Sequence, residues 1–283
     1  MSFSSKVKAE LFSHISHAKH CRIAELSAMI SLSGICKEGV WSATGDHGAL
    51  QEKRARLIQL LEVDVNSELG RQMLKLRENG SYLFSDPILV ERSCCKQAYI
   101  RGAFLAAGSL TDPEKGYHLE IVCDREEQAQ LLQGLLQDFN MEPKYIKRKK
   151  YHVIYLKDGS MIVDLLNIMG AHVSLMDMEN VRILKDMRNN VNRRVNCETA
   201  NINKVVNAAV KQMEDITYIE ETKGLGYLPE HLRQIAKLRM EEADTSLVEL
   251  GQKLNPPLSK SGVNHRLRKI SDIAQELRRI NND

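Results

Sequence analysis

The chain has 283 residues and a mass of 32.1 kDa, room for two domains at roughly 100–200 residues each. Its 43% apolar and 27% charged residues exclude wholesale disorder, and its 16 Gly, 6 Pro and 6 Cys exclude collagen-like and disulfide-scaffold classes. Forty basic against 37 acidic residues leave a net charge of +3, too near zero to name a polyanionic partner, so the placement of charge matters more than its sum.

In chain order, residues 6–20 read as a polar helix with Val7, Leu11 and Ile15 on one face. Residues 22–33 form a second helix, apolar at Ile23, Leu26, Met29 and Ile30, with Gly34 expected as a left-handed stop. Residues 40–44 suit a short strand and 50–63 an amphipathic helix carrying Leu57, Leu60 and Leu61. The pattern then recurs. Residues 97–107 form a helix rich in small side chains and ending at Gly108, 117–123 alternate as a strand, and 126–139 form an amphipathic helix. A shift of 74 residues carries Gly34 onto Gly108, Ala55 onto Ala129, Leu57 onto Leu131 and Leu61 onto Leu135, which argues for a duplication. Residues 145–155 have a strand pattern, Lys157-Asp158-Gly159 signals a turn, and Ser160 caps a helix to about Met169. Residues 175–187 continue helical, and 199–219 repeat apolar residues at helical spacing from Ile202 to Ile216 before Gly224 and Gly226, which suggest a hinge.

The segment from Leu228 onward is the most informative. Pro229 suits the first position of a helix lined by Leu232, Ile235 and Ala236. Ser246 with Glu249 forms a capping box ahead of Leu247, Leu250 and Leu254, and Asn255-Pro256-Pro257 ends that short helix. Ser259 caps a third helix striped by Val263, Leu267, Ile270, Ala274 and Leu277. Three short helices with a basic last member form the pattern of a helix-turn-helix. Between Gln252 and Ser271 there are five basic residues and no acid. Ser261, Asn264, His265 and Arg268 lie opposite the apolar stripe, where Asn can read adenine and Arg guanine. Lys253, Lys260, Arg266 and Lys269 suit phosphate contacts. With the cap residues Ser246 and Ser259, these make up the candidate DNA-binding set. A secondary basic cluster, Lys147, Arg148, Lys149 and Lys150, falls on a predicted hairpin, and a third runs through Arg182, Lys185, Arg188, Arg193 and Arg194.

Other chemistry is weaker. His14, His17, His20 and Cys21 cluster, but no carboxylate or second Cys follows nearby, so no metal is expected. Cys94 and Cys95 are adjacent and poorly placed to pair with each other. The cysteines show no CxxC, the N-terminus has no apolar signal core, and the longest apolar stretches fall far short of the ~20 residues of a membrane span. No phosphate loop or nucleophile motif is present.

Two helices ending in Gly, each followed by a strand and a helix, resemble the LAGLIDADG homing-endonuclease fold. The motifs run from Ala24 to Gly34 and from Tyr99 to Ser109. With the opening MSFSSKVKAEL, the stretches CCKQAYIRGAFLAAGSL, DPEKGYHLEIVC and RVNCETAN and the terminal module, the whole chain resembles the WhiA family of bacterial transcription regulators. The resemblance implies an α+β fold, a tandem LAGLIDADG-like pseudo-twofold domain followed by an all-α helix-turn-helix domain. The expected bounds are 1–190 for the first domain, 191–223 for a helical linker with hinge and 224–283 for the second. It implies a regulator tied to sporulation or to cell division and chromosome segregation. The expected partner is double-stranded DNA, with the transcription machinery or another regulator as a further partner, in the cytoplasm at the nucleoid. No cofactor, membrane or small-molecule substrate is expected. The alternative is a metal-dependent endonuclease. The resemblance places its two metal-binding acids just before Gly34 and Gly108, where this chain has Ser33 and Ala107, with Ser31 and Leu105 two residues earlier. No enzyme activity and no catalytic residue is therefore expected.

Overall fold

In the computed structural model, which describes residues 2–44 and 48–282, the chain opens with α1 (Phe3–Ser13), whose Val7 and Leu11 are fully buried. This helix ends at Ser13, short of the expected His20, and α2 (Lys19–Leu32) follows after a break. A hairpin of β1 (Gly34–Lys37) and β2 (Val40–Ala43), α3 (Gly48–Leu61), a short α4 (Glu68–Met73) and a second hairpin of β3 (Leu76–Asn79) and β4 (Tyr82–Ser85) complete the first half. The second half repeats this order. It has α5 (Ser93–Ala107), β5 (Gly108–Leu110), β6 (Leu119–Cys123), α6 (Glu126–Gln137), β7 (Lys144–Arg148), β8 (Tyr151–Leu156) and α7 (Gly159–Met169). Here the two strand pairs merge into one antiparallel sheet of order β5-β6-β8-β7.

α2 and α5 pack side by side at the centre. Their buried runs coincide under the 74-residue shift: Cys21 maps to Cys95, Ala24 to Ala98, and Leu26 through Ser31 to Ile100 through Leu105. The flanking helices need one residue more. Ala55 is exposed while Ala129 is buried, and the buried Leu57 and Leu61 of α3 correspond to Leu132 and Leu136 of α6. Small side chains bring the central helices close. A Cβ on Gly102 would run into the Glu25 carbonyl, so glycine is required there by contact. Gly34 is not a left-handed cap. It begins β1, and the Trp41 indole lies where its side chain would be. The left-handed stop occurs at Gly170, φ 87°, after α7. That helix is capped by Asp158, which accepts from the N–H groups of Ser160 and Met161, rather than by Ser160.

One helix, α8 (His172–Lys223), takes up both late helical segments expected from the sequence. The chain divides into two units within it, Met1–Met187 and Arg188–Asp283. Of the stripe expected between residues 199 and 219, Ile216 is buried in the second unit's core, whereas Ile202, Val205, Val206 and Val210 are exposed. That core also takes Ile219 and residues from α9 (Glu230–Glu241), α10 (Leu247–Lys253) and α11 (Lys260–Asn282). Among the described residues no helix is long and apolar enough to cross a membrane.

Candidate nucleic-acid interface

In the second unit Pro229 stands just before α9, one position earlier than expected and without a capping hydrogen bond, and Ser246 caps α10 through the expected reciprocal box: its hydroxyl accepts from the Glu249 N–H at 3.3 Å, and Glu249 accepts from the Ser246 N–H at 3.1 Å. The Ser246 hydroxyl, donating to the Glu249 carboxylate at 2.8 Å, and then the Ser246 N–H hold that carboxyl below its ordinary range. Gly251 allows the Leu258 carbonyl to approach α10 closely, and its own carbonyl accepts from the Leu258 N–H at 2.9 Å, which folds the Asn255-Pro256-Pro257 connection back tightly. Arg239, buried on α9 and unmarked by any sequence signal, donates to the Thr245 carbonyl at 2.6 Å and sets the entrance to α10.

α11 buries Val263, Leu267, Ile270, Ala274 and Leu277. On its other side Lys260, Ser261, His265, Arg268 and Lys269 are exposed and Asn264 half-buried, a continuous polar face at the spacing expected from sequence. Five members of the candidate set have other partners, Ser261 among them through its 2.9 Å hydroxyl contact with Ser259. Ser246 is committed to its cap, and the Ser259 hydroxyl accepts from the Gly262 N–H at 3.3 Å. Arg266 donates to the His231 carbonyl of α9 at 3.1 Å, and Lys253 pairs with both Glu242 oxygens at 2.5 and 2.6 Å.

In the first unit the secondary cluster sits on a hairpin, but its turn falls at Lys149, φ 58°, inside the stretch 145–155 expected to run on as one strand. β7 is a wholly exposed sheet edge, and Lys147, Arg148, Lys149 and Lys150 all project from that end. Arg148 faces Glu120 at 3.5 Å, and the Lys150 ammonium lies 5.1 Å from the Tyr151 ring. In the third patch Arg182 pairs with Glu179 at 2.6 Å and Lys185 donates to the Pro113 carbonyl at 2.5 Å.

The ends of α2 and α5 show what stands at the two positions before the motif glycines. The Ser33 hydroxyl donates back to the Met29 carbonyl at 2.6 Å, and Ala107 has no polar side-chain atom. In front of Gly34 the Trp41 indole N–H donates to the Ile30 carbonyl at 3.1 Å, so an aromatic ring closes the end of α2. Glu25 is fully buried further up the helix, paired with Lys53 at 2.6 Å and Arg101 at 3.0 Å.

Comparison with known proteins agrees with this architecture. A family model described as the WhiA LAGLIDADG-like domain matches residues 96–188, and one described as the WhiA C-terminal HTH domain matches residues 191–274. A "Probable cell division protein WhiA" of Lachnoclostridium phytofermentans is 46% identical, covering 98% of this chain and 100% of that protein. The protein of the same description from Caldicellulosiruptor saccharolyticus is 42% identical, covering 99% and 96%. The crystal structure of full-length WhiA from Thermotoga maritima matches with a TM-score of 0.60 at 27% identity, covering 98% of this chain and 99% of that one.

Proposed function

The chain belongs to the WhiA family, and on that premise we propose that it is a sequence-specific DNA-binding transcription regulator of cell division that does not cut DNA. The observation that carries this reading is the outer face of α11, where Lys260, Ser261, Asn264, His265, Arg268 and Lys269 stand together over a fully apolar inner stripe. A helix of this kind, held by a capped partner helix, fits a major groove with side chains at base edges and cations at phosphates. Chromosome segregation, or sporulation, is the finer role we assign, with the transcription machinery or another regulator as second partner and the nucleoid as site of action.

The absence of cleavage follows from chemistry. Phosphodiester hydrolysis of this type uses divalent ions clamping the attacking and leaving oxygens, and Mg²⁺ is held mainly by carboxylates. A hydroxyl turned back on its own helix and a methyl group supply neither. The first unit then serves as a scaffold, with the β7 hairpin as a secondary phosphate contact.

The test is DNA affinity against promoter and random duplexes across a salt series. Arg268→Ala and Asn264→Ala should relax sequence preference, each by about 1–3 kcal/mol at one base pair. Lys260→Ala should weaken binding alike on all sequences and reduce the salt slope by about 1. Unchanged binding in all three variants would overturn the assignment to α11. Stoichiometric nicking of plasmid with Mg²⁺ or Mn²⁺ that co-purifies with the protein would overturn the absence of cleavage.

A further inference from the structure

The first turns of α2 and α5 bring together four side chains far apart in sequence: His20 and Cys21 from one helix, Cys94 and Cys95 from the other. The expectation that no second Cys lies near Cys21 holds along the chain and fails in space. His20 Nδ1 is 3.2 Å from Cys95 Sγ, 3.3 Å from Cys21 Sγ and 4.0 Å from Cys94 Sγ. All four ligand atoms fall within 4.8 Å of one another. With Zn–S near 2.3 Å and Zn–N near 2.0–2.1 Å, a tetrahedral site has ligand edges of about 3.6 Å for N–S and about 3.8 Å for S–S. The observed separations straddle those edges. We propose that His20, Cys21, Cys94 and Cys95 form a Cys₃His zinc site that clamps α2 to α5.

The donor set selects the ion. Thiolate and imidazole ligands in a closed set of four favour Zn²⁺ over the oxygen-seeking Mg²⁺ and Ca²⁺, and four protein ligands leave no position for substrate, which makes the site structural. Three thiolates and one neutral imidazole around a divalent ion carry one net negative charge. That charge would lie at the positive ends of two helices. Access is also provided. Cys21 and Cys95 are buried, but Cys94 is exposed, and a surface cavity lined by Ser16, Cys21, Cys94 and Gln97 reaches the cluster. The 74-residue shift carries His20 onto Cys94 and Cys21 onto Cys95, so each half of the duplication contributes the same adjacent pair of positions. The site would lie at the N-terminal ends of the motif helices, opposite Ser33 and Ala107.

The experiment uses the untagged full chain purified without chelator, with metal content measured by mass spectrometry. The expected result is about one zinc per chain, reduced at least tenfold in Cys21→Ser and Cys95→Ser and unchanged in Cys197→Ser, whose residue lies on α8. Because the serine variants could fail to fold, the native chain is also stripped by a mild chelator and titrated with Co²⁺. A tetrahedral visible spectrum with thiolate charge transfer, abolished by added Zn²⁺, supports the site. A native chain without stoichiometric zinc and without that Co²⁺ spectrum overturns it. So does a stripped chain in which these thiols are held in a disulfide that zinc does not affect.

Discussion

Glu25 sits between two buried cations in the interior of the first unit. Its carboxylate meets Lys53 at 2.6 Å and Arg101 at 3.0 Å, and all three side chains are at most 5% exposed. Lys53 also donates to the Leu11 and His14 carbonyls at 2.6 and 2.8 Å, and Arg101 to the Met169 carbonyl at 3.1 Å, so one carboxylate organises five helices. Burial pushes the Lys53 ammonium below its usual range, and Glu25 pulls it back. Removing the carboxylate leaves two buried cations without compensation. Glu25→Gln is expected to destabilise the first unit by about 3–5 kcal/mol in urea unfolding. Lys53→Met should cost less, because Arg101 still pairs with Glu25. A Glu25→Gln variant within about 0.5 kcal/mol of the parent would refute this account. In sequence Glu25 is a single acid in an apolar helix, and nothing in the spacing announces that Lys53 and Arg101 converge on it.

A second prediction at this scale concerns acid. Glu249 is held below its ordinary range by the Ser246 hydroxyl and backbone N–H, and Glu242 by Lys253 and then Thr245. A carboxyl depressed in the fold binds fewer protons than in the unfolded chain. Its stabilisation is complete above the unfolded carboxylate pKa of about 4.3 and is lost as pH falls through the lower folded value. The second unit should therefore lose melting temperature between about pH 5 and about pH 2. Glu249→Gln should flatten part of that slope, and an unaltered slope would show that the box does not titrate with folding.

At the level of elements, backbone approach decides what the central pair tolerates. Gly102→Ala would push a methyl against the Glu25 carbonyl, and neither helix has a flexible side chain there to yield. A loss of about 1–3 kcal/mol is expected, with no change in the second unit's melting. Elements with local signals were readable from sequence. The box at Ser246 and Glu249, the proline break and the α11 stripe all sit within a few residues of what they specify. The β3–β4 hairpin carries an equally local mark, Gly80-Ser81 between two short strands with Gly80 at φ 62°. The β7–β8 turn carries no such mark, because Lys149-Lys150 places a lysine at positive φ where pattern expects continuation. The candidate interface was legible as a face of α11. That Arg266 and Lys253 are spent on α9 and Glu242 was not, since those partners lie 35 and 11 residues away.

For the whole molecule, two separate cores imply two unfolding transitions, and α8 sets where each begins. Asp215 is buried and pairs with Arg278 of α11 at 2.6 Å, and Ile216 and Ile219 are fully buried beside it. A fragment of residues 188–283 should fold and melt as the second unit does in the full chain. A fragment starting at Gly224 loses two core isoleucines, each worth about 2–5 kcal/mol when truncated, and should be largely unfolded. Equal melting of the two fragments would show that the last turns of α8 contribute nothing to that core. Gly224, at φ 75°, stands where the chain turns from α8 toward the buried Leu228, at the place where the sequence suggests a hinge.

The pairing of α2 with α5 also has a consequence during synthesis. α2 is complete at Leu32, but the face it needs is finished only at Ala107, about 75 residues later. At ~5–20 residues per second a ribosome takes about 4–15 s to cover that distance. For that interval Ala24, Leu26, Met29 and Ile30, all fully buried in the finished fold, lack the cover of α5, and Glu25 has no Arg101. The first half of the duplication cannot mature as it emerges. It must wait for its twin, so the nascent chain offers chaperones a long-lived apolar helix, and any pause in translation before residue 93 prolongs that exposure.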